Sequence, residues 1–393
     1  MSVGAGTRLE GYGAAVETST PHRVPFFLGK RATLGLLLVL AALDGWALSS
    51  TDGDFYLPDV FRPMALSCIA LFLLSGFLRW NFPRRALRTL TLVVVGAVLV
   101  LEVQSRVADR AVDRIEQTSD VLLRYRYRPG VRVSGPGDPE GVQVNHLGLL
   151  DLERAIPKPA GVYRVVVLTG SIANDPSVPF ESRFFRQLEG QLQRALPGRT
   201  VEVVNVSCEG YNTLQQVRAL EQVGLQYEPD LVVVGYMLTA ASFQNGGYRR
   251  IGNSFFAFRF LPMLAMAQSG SACSLFAPFY ERYTFDLVVR NALERLELLR
   301  QLHHFEVLVA VLPVLERFDD PVCARLYDQV IDTAKQIGFP TVRVADAFVG
   351  APWEDFMKPG QRWDLCHPNA AGHLRIATAV STGLLPLLAP AAP

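Results

Sequence analysis

The chain has 393 residues, 50% of them hydrophobic, and a formal net charge of +1. A balance so near zero, with no basic stripe, argues against a nucleic-acid partner. The length allows more than one folding unit. The apolar excess is concentrated before residue 104, which is the signature of membrane segments rather than of a larger core.

A tail over 1–31 precedes three apolar runs, at about 32–50, 63–78 and 87–103. Each approaches the roughly 17–20 residues that a helix needs to cross the hydrocarbon, so 32–103 is expected to be a membrane region of three helices. Arg23, Lys30 and Arg31 flank the first run, and Arg79, Arg84, Arg85 and Arg88 follow the second. The loop after the first run carries Asp52, Asp54 and Asp59 against Arg62. The positive-inside rule then puts the tail and second loop in the cytoplasm, and everything after residue 103 outside. The alternative is three core helices of a soluble protein. A cleaved signal peptide fits poorly, because about 30 mostly polar residues come first and two more runs follow. Asp44 and Glu102 fall toward the outer ends of their runs and read as interfacial carboxylates.

Residues 104–128 are charged, with apolar residues at helical spacing, and predict a stalk helix. The Gly- and Pro-rich PGVRVSGPGDPEG over 129–141 predicts a linker. From about 142 to 393, short β-rich runs alternate with helical stretches. Strands are expected at 164–170, 200–207, 230–237, 306–314 and 340–346. Helices are expected at 180–196, 212–226, 284–305, 323–339 and 369–388. Near-continuous apolar strands alternating with helices predict a parallel sheet in a three-layer α/β/α sandwich. Sites in such sheets form where loops leave the carboxyl ends of the strands.

An insertion over 240–283 contains SFFAFRFLPMLAMAQ (254–268), too interrupted by Arg259 and Pro262 to span a membrane. A lid over the site, an amphipathic segment on the membrane, and simple packing on the domain are its three readings. His303 and His304 suit a helix C-terminus. Cys68 lies in a membrane run. Cys208, Cys273, Cys323 and Cys366 fall in the outer compartment, where disulfides form. No CxxC or Cys/His ligand spacing occurs, so no metal site is expected, and nothing implies an organic cofactor.

Candidate chemistry sits in two distant stretches. In VVVLTGSIAND (165–175), Ser171 follows an apolar strand. A nucleophilic serine needs a base, an orienting group and oxyanion donors. The G-x-S-x-G elbow is absent, since the stretch reads Thr169-Gly170-Ser171-Ile172-Ala173. In WDLCHPNAAGH (363–373), Asp364 precedes His367 by three residues, so that its carboxylate can fix the imidazole tautomer. Without the serine, the pair reads equally as a cap and a packed histidine.

Taken together, Gly170-Ser171 after a strand, Gly210 in NVSCEGYNT and the DLCHPNAAGH block resemble the SGNH (GDSL-type) hydrolase superfamily. VNHLGLLDLE (144–153) is similar to the lead-in of its membrane-anchored bacterial members. The resemblance covers roughly 142–390. It implies Ser171 as nucleophile, His367 as base and Asp364 as its partner. The implied oxyanion donors are the main-chain N–H groups of Ser171 and Gly210. Two departures stand out. The first block has Thr169 where the family usually has Gly, and the third has Thr239 where the family carries an asparagine donor. The Thr239 hydroxyl is a shorter, less rigid donor, and loss of one such donor costs about 10²–10³ in rate. Tyr211 and Asn212 either line the pocket or shape the turn.

The resemblance further implies an esterase acting on acyl esters, acetyl esters among them, of envelope or exported glycans or lipids. It would sit in the bacterial cytoplasmic membrane with its catalytic domain outside. An O-acyltransferase for an exopolysaccharide would use the same triad. A third class is an inactive binding module or a scaffold for envelope-polysaccharide assembly. If the fold is of this type, Cys208 and Cys366 flank the same site loops and form either a clamping disulfide or two free thiols.

Overall fold

The computed structural model describes residues 114–242, 271–359 and 364–388. The tail, the three apolar runs and the 254–268 segment lie outside the described residues. Among those described, no helix is long and apolar enough to cross a membrane.

The centre is a five-stranded parallel sheet. Its strands are β5 (Val162–Leu168), β6 (Thr200–Asn205), β7 (Leu231–Tyr236), β8 (Glu306–Val311) and β9 (Thr341–Arg343), in the order β6-β5-β7-β8-β9. Side chains on a strand alternate between faces, and each face here buries its own apolar set. Val165, Val167, Val203, Val233 and Leu308 join α1 (Phe184–Ala195) and α5 (Ala370–Leu388) through Phe184, Leu188, Ile376 and Val380. Val166, Leu168, Val204, Val234 and Val309 join α2 (Thr213–Gln222), α3 (Asn291–His303) and α4 (Pro321–Ile337) through Leu220, Leu293, Leu296 and Val330. Fully burying each such side chain stabilises by about 1.5–3 kcal/mol. The predicted three-layer sandwich is the observed fold.

The helix ends follow local chemistry. Asn212 caps α2, accepting from the Gln215 N–H while the Gln215 side chain accepts from its own. Asp320 caps α4 ahead of Pro321, and Gly338 in the left-handed region ends it. Asn369 opens α5 by accepting from the Gly372 N–H.

The segment before 142 differs from expectation. Residues 114–128 form no helix. They make an antiparallel hairpin of β1 (Ile115–Gln117) and β2 (Tyr125–Tyr127). The reason is a period of two at its end. In Tyr125-Arg126-Tyr127 the tyrosines are buried and the arginine is half-buried. Asp120 closes the turn by accepting from the Leu122 and Leu123 N–H groups. The expected linker forms a second hairpin, β3 (Arg132–Gly135) with β4 (Asp138–Gln143). Ile115, Leu123, Tyr125, Tyr127 and Val133 pack in the same core as the sheet. The α/β domain therefore recruits chain well before residue 142.

The long helix expected at 284–305 is one run interrupted by a π segment at Asp286–Arg290 before α3. The described end of the insertion is fastened to α4 by a Cys273–Cys323 disulfide. Cys208 and Cys366 are free thiols, so no Cys208–Cys366 clamp forms. They pack in different surroundings. Cys208 is in the core shared with α2 and α3, whereas Cys366 packs against the core shared with α1 and α5.

Candidate active site

β5 ends at Leu168, and Ser171 opens the short 3-10 turn Ser171–Asn174 that follows. The terminal helix α5 is preceded by the loop that carries Asp364 and His367. The fold brings these ends together. His367 Nε2 lies 2.7 Å from Ser171 Oγ, and His367 Nδ1 lies 2.7 Å from Asp364 Oδ1. An ionised carboxylate only accepts, so Nδ1 carries the proton and Nε2 accepts from the serine hydroxyl. Asp364 Oδ1 also accepts from the Cys366 and His367 N–H groups, at 3.3 and 3.2 Å. Burial raises the Asp364 pKa, but hydrogen bonds and charge from His367 and Lys358 outweigh it. The carboxyl is held well below the ordinary range.

Gly210 follows β6 with φ of +72°, a left-handed conformation that favours glycine. Its loop lies against the Ser171 turn, since a Cβ on Gly170 would sit 3.6 Å from the Tyr211 carbonyl oxygen. Among the described residues, the Ser171 and Gly210 N–H groups donate to no protein acceptor. The β1–β2 hairpin clamps this loop. Tyr125 Oη donates to the Glu209 carbonyl at 2.8 Å, and Tyr211 Oη donates to the Tyr125 carbonyl at 2.6 Å. Arg114 pairs with Glu209 at 2.8 Å. Tyr211 is thus a buried clamp residue and Asn212 a helix cap.

Thr239 is half-buried in the 3-10 turn Leu238–Ala241 that leaves β7. β7 pairs directly with β5, Val234 opposite Leu168, so both turns leave the same edge of the sheet. The Thr239 turn is fixed through its carbonyls. Leu238 accepts from Tyr280 Oη, Ala240 from Thr213 Oγ1 and Ser242 from Asn212 Nδ2.

Two groups beside the triad carry no motif. Lys358 Nζ lies 2.7 Å from Asp364 Oδ2 and 2.9 Å from Asp175 Oδ2. Asp175 stands four residues after Ser171 and gives no signal of its own in sequence. Lys358 sits in a stretch that only the tertiary fold carries to the site.

Beneath the Ser171 turn runs a buried polar network. The Thr169 N–H donates to Ser207 Oγ, Asn174 Nδ2 to the Ser207 carbonyl and Asn205 Nδ2 to Asn174 Oδ1. The Asn205 N–H donates to Asp151 Oδ2 at 2.7 Å. Burial pushes the Asp151 carboxyl up to about 7.

Among the described residues, Cys273, Glu316 and Cys323 group closely enough to suggest metal ligands. The two thiols are spent in the disulfide.

No protein-family model matches the chain. No curated protein matches it. Solved structures similar to it include TesA, at 17% identity over 57% of this chain and 99% of that one, with a TM-score of 0.37. LAE5, an alpha/beta hydrolase enzyme from the metagenome of Lake Arreo, is 18% identical over 59% of this chain and 98% of that one, TM-score 0.39. A variant of Axe2, an acetyl xylan esterase from Geobacillus stearothermophilus, is 17% identical over 58% and 95%, TM-score 0.38.

Proposed function

We propose that the protein is a serine esterase of the SGNH type. The observation that carries this reading is the continuous hydrogen-bonded chain Ser171 Oγ, His367, Asp364 at the carboxyl end of β5. His367 Nε2 takes the hydroxyl proton as Ser171 Oγ attacks the ester carbonyl carbon. The Ser171 and Gly210 N–H groups receive the developing oxyanion. Collapse breaks the bond to the alcohol oxygen, which leaves with the proton from His367, and an acyl-serine remains. Water, deprotonated by the same imidazole, attacks the acyl carbon and restores Ser171. A sugar hydroxyl in place of that water would make the protein an O-acyltransferase. The intact triad weighs against an inactive binding module, while Thr239 in the third block fits a slower enzyme.

The proposed substrates are acyl esters, including acetyl esters, of envelope or exported glycans or lipids. The proposed location is the bacterial cytoplasmic membrane, with the N-terminus cytoplasmic and the α/β domain outside. The charge pattern around the three apolar runs supports this, and the Cys273–Cys323 disulfide fits an oxidising compartment.

The test is hydrolysis of short-chain acyl esters by the detergent-purified full chain, beside Ser171→Ala and His367→Ala. The expected outcome is turnover in the wild type and its loss in both variants. Turnover that survives Ser171→Ala would refute the reading.

A further inference from the structure

Lys358 is the unexpected member of the site. A cation placed on the carboxylate that must support an imidazolium works against the base. Its Nζ is 2.7 Å from Asp364 Oδ2, the oxygen that His367 does not use. Left alone, this pairing would neutralise Asp364 and disfavour protonated His367. The structure supplies a second carboxylate. Asp175 Oδ2 accepts from the same ammonium at 2.9 Å, and Asp175 Oδ1 accepts from the Ser177 N–H and Oγ. All three side chains are nearly buried, at 10%, 8% and 11% exposure for Lys358, Asp175 and Asp364. Asp175, Lys358 and Asp364 together carry one net negative charge, the charge of a lone orienting aspartate.

The bridge also has a mechanical consequence. Asp175 ends the 3-10 turn that Ser171 begins, and Asp364 starts the loop that holds His367. Lys358 thus ties both ends of the triad through one ammonium group. We infer that Lys358 and Asp175 are a charge-balanced pair of positioning residues: Lys358 locks the Asp364 carboxylate and the nucleophile turn in register, and Asp175 restores the negative charge that His367 needs to accept a proton. This rests on the esterase reading of the site.

The charged and titratable groups around His367 are Asp364, Asp175, Lys358 and the neighbouring Cys366, whose thiol burial pushes up to about 12 and so keeps uncharged, with His373 from α5 and Arg183 at the start of α1 behind them. Arg183 is itself paired with Asp138, and the His373 Nδ1 lone pair accepts from the Phe184 N–H, which keeps that ring neutral. Lys358 and Asp175 are therefore the groups whose removal changes the charge that His367 feels.

The test is the pH dependence of inactivation by a fluorophosphonate, followed on the full chain for wild type, Lys358→Met, Asp175→Asn and the double variant. Only neutral His367 activates Ser171, so the acidic limb reports its protonation. Lys358→Met removes a positive charge and should move that limb to higher pH. Asp175→Asn leaves the ammonium unbalanced and should move it to lower pH. Each shift should be about one pH unit for charges at this range in a partly buried site. The double variant should return the limb toward wild type. Far-UV circular dichroism at each pH gives the folded fraction, and rates divided by it keep the limb position readable in a destabilised variant. Variants that slow without opposed shifts would overturn this inference and leave the esterase reading standing. An unreactive wild type would overturn both.

Discussion

His367 Nε2 and Ser171 Oγ are 2.7 Å apart although 196 residues of chain separate them. The contact is set by two buried elements. Ser171 is presented by the turn that follows β5, the strand flanked by β6 and β7, and His367 by the loop that leads into α5, whose Ile376, Val380 and Leu384 are fully buried beneath the sheet. The turn that carries the hydroxyl and the loop that carries the imidazole are both joined directly to elements buried in the core of the domain.

Asp364 fixes the tautomer of His367, so Asp364→Asn should favour the ring with its proton on Nε2, which cannot accept from Ser171. The expected loss in kcat is about 10⁴-fold, with KM little changed. Steady-state kinetics on a soluble acyl ester checks this. A loss under about tenfold would mean that the imidazole is oriented by other groups.

The Gly210 loop is expected to act through its main chain. Gly210→Ala puts a Cβ on a backbone with φ of +72°, at a cost of about 1–2 kcal/mol. Tyr125→Phe removes the hydrogen bond to the Glu209 carbonyl, worth about 1 kcal/mol. Both should lower kcat by more than the stability loss accounts for, because the oxyanion donor moves. Thermal melts beside kinetics separate the two effects. Lower Tm with unchanged kcat in both variants would remove Gly210 from the oxyanion hole.

Two buried groups give opposite pH dependences of stability. Burial depresses His373 to about 3 from 6.5, and burial raises Asp151 to about 7 from 3.8. The His373 contribution is present above pH 6.5 and is lost as pH falls toward 3. The Asp151 contribution is present below pH 3.8 and is lost as pH rises through 7. In the shared window each changes stability by up to about 1.4 kcal/mol per pH unit, with opposite signs. Asp151→Asn should therefore steepen the loss of stability on acidification relative to wild type, and His373→Gln should do the opposite. Urea unfolding at about pH 4.5 and about pH 6 measures both slopes. Slopes parallel to wild type in both variants would contradict these assignments.

The Cys273–Cys323 disulfide closes a loop across a sequence separation of 50, which in the chain-entropy account stabilises by about 4 kcal/mol. Reduction should lower Tm and expose two further thiols beyond Cys208 and Cys366 in the α/β domain. Thiol counting before and after reduction, with a melt of each form, checks it. Four free thiols in that domain before reduction would contradict the pairing.

The inner strands of the sheet were legible because they are buried on both faces. Leu231–Val234, for example, is apolar at every position and is wholly buried. Ser171, Asp364 and His367 were legible because their blocks keep order and spacing along the chain. The β1–β2 hairpin was not. Its charged residues at helical spacing hid the short alternation Tyr125-Arg126-Tyr127, whose burial depends on the Gly210 loop far along the chain. Lys358 was invisible for a related reason, since a lone lysine beside a proline announces no partner until the fold delivers Asp175 and Asp364. The disulfide pairing followed the same rule. Cys273 and Cys323 carry no block or spacing signal, and only the fold brings them together, while Cys208 and Cys366 are the two free thiols that the sequence left open.

That Ser171 is an activated nucleophile is the centre of the functional reading. Its most direct test is intact and peptide mass spectrometry of the full chain after exposure to a fluorophosphonate. The expected result is a single phosphonyl adduct on the peptide containing Ser171, absent in His367→Ala. Folded wild type that stays unmodified, under conditions that modify a known serine esterase, would contradict it.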